Sequence, residues 1–287
     1  MADDLDPKYD FRTLPPRHQP YAGGDPAAAL REVRSMVEHA ITHQPRSLQK
    51  RIGPSEIGTP CDHCLAAKLA GWARTDDGVP WLPYIGTCVH DGLSQIVMAH
   101  EGDRNAAHTT GLRWLSEHRV TVGRIGGTAI TGSCDLFDTV TGTVIDFKVV
   151  GVTTLRTAKR SGPSPVYRTQ VNLYGLGFVN AGQQVDHVAI AYLPRNAVSL
   201  DDAVWWTAPF DPALAHQALT RANRLHANLT ALSALGEAAV RAWISSLPRH
   251  PDCHDCGRYP DRPAGHTAPG HHPPGRELDG LIPSTAA

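Results

Sequence analysis

Two of the three aspartates in GSCDLFDTVTGTVIDFKVVG (132–151), Asp135 and Asp146, fall where they could meet the single lysine, Lys148, on one face. The alternation of apolar and polar positions reads as a β-hairpin. A turn centred on Thr141-Gly142 sets Asp135 opposite Lys148, with Asp146 diagonal to Asp135 on the same side. Cys134, Leu136, Ile145, Phe147 and Val149 then share the other side, which is apolar and faces a core. Two carboxylates on neighbouring strands repel each other unless a cation lies between them. Lys148 alone meets that need in a surface ion pair. The alternative is a divalent-cation site, because hard carboxylate oxygens suit Mg2+ or Mn2+ and a nearby ammonium can polarise a phosphate or activate water.

Four of the six cysteines form a second pattern. CDHC (61–64) and CHDC (253–256) are two C-x-x-C pairs, and each can present two thiolates to one metal. Cys61, Cys64, Cys253 and Cys256 together make a four-thiolate site; a redox dithiol would need only one pair. Zinc is the default ion for four thiolates, and an iron–sulfur cluster takes the same number of ligands. His63 and His254 lie within the pairs as alternative ligands or bystanders. Cys88 and Cys134 read as core residues.

The elements that must position these groups follow from pattern and punctuation. Asp25 and Pro26 open a helix over 25–43, and 55–72 reads as a turn and a short helix ending near Gly71. A helix over 87–102 is capped by Thr87, and strands fill 117–150. Helices over 164–182 and 211–236 flank a strand over 185–195. This order predicts one α/β core. Residues 1–25 and 258–287 read as disordered tails, the second rich in Pro, Gly and His, leaving 26–257 as the domain.

Composition narrows the function classes. Hydrophobic residues make up 41% of the 287, enough for a sizeable core, while the net charge of −1 excludes a bulk-basic nucleic-acid binder, so any such site must be local. One candidate exists: from Phe147 to Gln184 there is no acidic residue, yet Lys148, Arg156, Lys159, Arg160 and Arg168 fall there. That suits the path of a phosphate backbone, or an ordinary solvated loop. No apolar run reaches membrane-spanning length, and the first twenty residues have no apolar signal region. The expected location is the cytoplasm, with reduced thiols and no membrane partner.

The hairpin motif GSCDLFD…VIDFK resembles the core of the PD-(D/E)XK nuclease superfamily. GTCVHDGL (86–93) resembles the G-x-x-x-H helix of its RecB-like branch, matching Gly86 and His90. QVNLY (170–174) resembles that branch's Q-x-x-x-Y motif, matching Gln170 and Tyr174 one helical turn apart. Taken singly, His90 also fits a structural histidine, and QVNLY an amphipathic helix with Tyr167, Val171 and Phe178 in the core. PSEIGTPCDHCLAAKLAG is similar to the N-terminal segment of CRISPR-associated RecB-like and phage exonucleases, in which cysteines on both sides of the nuclease core hold a 4Fe-4S cluster. The pattern here is two and two, where that group has one and three.

The resemblance spans about residues 55–257 and implies a restriction-endonuclease-like fold, a central mixed sheet flanked by helices, with the cysteine cluster joining its ends. It implies a metal-dependent DNA exonuclease. His90, Asp135, Asp146 and the Val149 carbonyl would hold Mg2+ or Mn2+. Lys148 would position or deprotonate the attacking water, and Gln170 and Tyr174 would orient the site. Arg156, Lys159, Arg160 and Arg168 would contact DNA, single-stranded or with free ends, in the cytoplasm of a bacterial host if the chain is phage-encoded. The rival readings are a non-catalytic nucleic-acid-binding protein with a structural zinc or iron–sulfur site, and a redox carrier.

Overall fold

A computed structural model describes residues 24–43, 52–75, 78–106, 111–251, 253 and 255–261. Of the tails expected over 1–25 and 258–287, residues 1–23 and 262–287 lie outside the described residues, as does His254. The chain divides into two units, 1–48 and 49–287. The described part of the first is one helix, α1 (Pro26–Thr42). The Asp25 carboxylate accepts from the Ala27 N–H at 2.9 Å, and Pro26 follows in the first turn, where its missing N–H costs nothing.

The second unit opens with two short helices, α2 (Pro54–Ile57) and α3 (Asp62–Leu69), and then the long α4 (Trp81–Ala106). Strands β1 (Trp114–Ile125), β2 (Thr128–Asp138) and β3 (Thr143–Val150) follow, then helices α5 (Val152–Ser161) and α6 (Pro165–Asn180). The chain continues through β4 (His187–Pro194), β5 (Val204–Pro209), α7 (Pro212–Ser233) and α8 (Glu237–Ser246). The five strands lie in sequence order in one sheet. Only β3 and β4 are parallel; β1–β2, β2–β3 and β4–β5 are antiparallel. Two helices, α5 and α6, provide the crossover that a parallel pair requires. This is the mixed α/β sheet flanked by helices that the resemblance implies.

Two helices cover opposite faces of the sheet. Phe137 and Val144 are partners on one face, where Phe178 of α6 stacks on Phe137 at 4.1 Å. A side chain at Gly177 would collide with Val120 and Val122, so glycine lets α6 approach β1 closely. Phe147 and Val149 point the other way and line a cleft of about 330 Å³ with Ile85, Val89 and Leu93 of α4. On the side expected to face the core, Cys134 and Leu136 are buried but Ile145, Phe147 and Val149 are half-buried; the fully buried Phe137, Val144 and Asp146 lie on the α6 side. Among the described residues, no helix is long and apolar enough to cross a membrane.

Several expectations shift. The helix expected over 87–102 begins six residues earlier, and Thr87 does not cap it: its hydroxyl donates to the Pro83 carbonyl inside the helix at 3.2 Å. Pro83 is tolerated because it falls in the first turn. Cys88, read as core, is exposed. The basic segment read as a loop is the helix α5, closed at Gly162 with φ +73. Strand β5 and helix α8 were not among the expected elements. Residues 258–261, expected in the C-terminal tail, are described: the Tyr259 side chain is buried and Asp261 is hydrogen-bonded to His63.

Candidate active site

The hairpin register places the acidic groups. Leu136 pairs with Ile145, Phe137 with Val144 and Asp138 with Thr143, leaving four residues, 139–142, in the turn. Continuing that register puts Asp135 opposite Asp146, not opposite Lys148 as expected. The slip is two residues, so the face of every side chain is unchanged. Asp138 fixes the turn: Arg113 donates to both its oxygens at 2.9 Å, the Thr141 hydroxyl at 2.8 Å and the Val140 N–H at 3.1 Å. Gly142, at φ +58, closes it, and its carbonyl accepts the N–H groups of Asp186 and His187 at the start of β4.

The ladder between β2 and β3 stops at Leu136 and Ile145, and Asp135 bridges the notch beyond. Its Oδ2 accepts the Phe147 N–H at 2.7 Å. Its Oδ1 lies 3.2 Å from His90 Nδ1, which comes from α4 with its ring edge-on to Phe147. Burial works against a charge on His90, but the hydrogen bond with Asp135 wins and its pKa is raised.

Glu117 completes the group. One donor atom each from His90, Glu117 and Asp135 lie within 4.8 Å of one another. Glu117 stands between the pairs Ser116–Leu136 and His118–Cys134, so it faces Asp135 across β1 and β2. Its φ is +49, among the described residues the one positive value outside glycine, a strained conformation of the kind found at functional positions. The sequence reading missed Glu117. Counting back from the tight Gly126-Gly127 turn, where Ile125 pairs with Thr128, puts Glu117 opposite Leu136; a bulge between Thr121 and Gly123 shifts it by one.

Asp146 is not in that close triad. It is fully buried, Gln170 Nε2 donates to its Oδ1 at 3.0 Å, and Lys148 Nζ lies 2.6 Å from its Oδ2. The Lys148 approach is close but poorly angled, so Oδ2 has no well-formed hydrogen bond. Burial pushes the Asp146 carboxyl up to about 6, against the pull of Lys148. Lys148 is partly buried, which disfavours its charge, yet Asp146 and Asp135 outweigh that cost and hold its pKa above the usual lysine value. Its ammonium also lies 5.0 Å from the centre of the Tyr167 ring. Tyr174, one turn after Gln170, is buried, and burial raises its hydroxyl pKa.

The structure thus brings together His90, Asp135, Asp146, Lys148, Gln170 and Tyr174. Val149 is on β3, with its side chain on the α4 face. Arg156, Lys159 and Arg160 are exposed on α5, and Arg168 stacks over Trp206 at 5.9 Å. The donor set of carboxylates and an imidazole, with a buried Asp146 oxygen lacking a well-formed hydrogen bond, fits a hard divalent cation.

The four cysteines meet as expected. Cys61 Sγ lies 3.4 Å from Cys256 Sγ, and Cys64 Sγ lies 3.4 Å from both Cys253 and Cys256. His63 is not positioned as a ligand: Asp261 holds its Nε2 at 3.0 Å. The 4Fe-4S cluster that the resemblance implies does not fit sulfurs already in contact, because eight inorganic atoms must stand between them.

No protein-family model matches the chain, and no curated protein does. The chain is similar to several solved structures at low identity. An alkaline exonuclease, LHK-Exo, from Laribacter hongkongensis is 15% identical, with 67% of this chain and 95% of that one covered and a TM-score of 0.40. A protein described as SSO0001 is 14% identical, with coverage of 69% and 86% and a TM-score of 0.39. A phage-related exonuclease from Haemophilus somnus 129PT is 13% identical, with coverage of 68% and 92% and a TM-score of 0.35. The geometry of the site, not these distant likenesses, carries the functional reading.

Proposed function

We propose that the chain is a metal-dependent nuclease that hydrolyses phosphodiester bonds at DNA ends. The observation that carries this is the convergence of His90, Glu117 and Asp135 within 4.8 Å, in a notch bordered by the Asp146–Lys148 ion pair. Bound there, Mg2+ or Mn2+ would acidify a water and act as a Lewis acid on the phosphate. Asp135 and Glu117 supply carboxylate oxygens, and His90 a ring nitrogen. Gln170 holds Asp146 in place from α6.

The raised pKa of Lys148 keeps it an ammonium at neutral pH. Its role is then to stabilise charge growing on the phosphate and to position the attacking water. The exposed cations of α5 follow directly after β3, where a phosphate backbone leaving the notch would pass. Action at ends, rather than at a specific sequence, follows from the motif resemblance and is part of the proposal.

The test is cleavage of 5′- and 3′-labelled DNA, single- and double-stranded, with Mg2+ added back to chelator-treated protein. The expected result is stepwise loss of nucleotides from an end, abolished in Asp146→Ala and Lys148→Ala. DNA binding without cleavage in any metal would establish the non-catalytic reading instead.

A further inference from the structure

We infer that the four cysteines hold a single tetrahedral zinc ion that pins the segment after α8 onto α3, in place of the iron–sulfur cluster implied by the family resemblance. Sulfur geometry alone supports this, independently of the nuclease reading. Four thiolates each about 2.3 Å from one ion, at tetrahedral angles, lie about 3.8 Å from one another. In a four-iron cluster each thiolate binds a different iron, and the iron–iron edge spreads the sulfurs to roughly 6 Å. Three of the sulfur pairs here are 3.4 Å apart, and all four sulfurs lie within 4.8 Å of one another. That leaves room for one ion at their centre and none for an inorganic core.

The surroundings suit a closed structural site. All four cysteines are buried, with Leu229 of α7, Ile244 of α8 and Tyr259 packed around them. Cys61 is the residue that opens α3, and Cys256 begins a short 3-10 turn, Cys256–Arg258. Four thiolates around one Zn2+ carry a net charge of −2. His63 Nδ1 lies 3.7 Å from Cys64 Sγ and is contacted by Arg249 at 3.3 Å. With all four positions filled by thiolates there is no open site for chemistry, which marks a staple and not a catalyst.

The test uses full-length protein purified without oxygen from cells grown with ample iron and zinc. Metal and acid-labile sulfide are measured, and X-ray absorption is recorded at the zinc edge. The expected result is one zinc per chain in a shell of four sulfurs at about 2.3 Å, with no labile sulfide. Treatment with Fe2+ and sulfide should leave the protein colourless, and removing zinc should open the segment after α8 to proteolysis. Four irons with labile sulfide and absorbance near roughly 400 nm would overturn the inference, as would zinc bound by fewer than four sulfurs. Cys253→Ser should lose the zinc; should that variant fail to fold, the wild-type spectrum still decides.

Discussion

The Phe147 N–H donates to Asp135 at 2.7 Å, across the point where β2 and β3 part. Asp135 therefore does two things: one oxygen satisfies a backbone donor beyond the end of the ladder, and the other faces His90. Asp135→Asn keeps an acceptor for the N–H but removes the charge. Its melting temperature should stay near wild type, while Mg2+-dependent cleavage falls by a factor of about a hundred or more. Glu117→Gln should behave alike. A stable Asp135→Asn protein that still cleaves DNA would remove this residue from the site.

Asp146, fully buried, forms an ion pair with the partly buried Lys148. Removing one partner strands the other, so Lys148→Met should cost about 3–5 kcal/mol of stability in urea unfolding. The double change Asp146→Asn with Lys148→Met leaves no stranded charge and should recover most of that stability, without recovering cleavage. Equal instability of the single and double variants would show that the pair is not coupled.

Asp138 predicts an acid-sensitive hairpin. Burial raises its pKa, but hydrogen bonds from Arg113, Thr141 and Val140 outweigh burial and hold it below the usual aspartate value. A carboxylate with a depressed folded pKa releases its proton more readily when folded. Its stabilisation is therefore complete above the unfolded pKa, near about 4, and is lost as pH falls through the folded value. Asp138→Ala should be less stable at neutral pH by roughly 2–4 kcal/mol and should lose less on acidification to about pH 2. Parallel pH profiles for variant and wild type would contradict this.

Much of the fold was legible because its signals are local. The alternation of 132–151 marked the hairpin, and the helices expected over 164–182 and 211–236 start at Ser164 and Asp211, which cap α6 and α7 ahead of Pro165 and Pro212. His90, Asp135, Asp146 and Gln170 were named from motif order and spacing. Glu117 was not, because its place depends on a bulge several residues away that no local pattern announces. The start of α4 was missed because Pro83 reads as a breaker and is harmless in a first turn. Strand β5 was missed because a six-residue edge strand with exposed Trp205 lacks a full apolar face. The hairpin turn was misplaced because Asp138, not the Thr-Gly pair alone, organises it.

The exposed cations of α5 bear on DNA affinity. If Arg156, Lys159 and Arg160 neutralise phosphates, changing all three to Gln should raise KM and leave kcat nearly unchanged. The slope of log affinity against log salt should then drop by about 0.7–0.9 for each phosphate left without its cation. An unchanged slope would place the DNA path elsewhere.

The nuclease reading requires one divalent cation between His90, Glu117 and Asp135. Anomalous diffraction from crystals soaked in Mn2+ locates that ion without passing through an activity assay. The expected result is a single peak within bonding reach of the Asp135 and Glu117 carboxylates, absent from Asp135→Asn crystals. Manganese found elsewhere on the chain, with this notch holding only water, would refute the assignment.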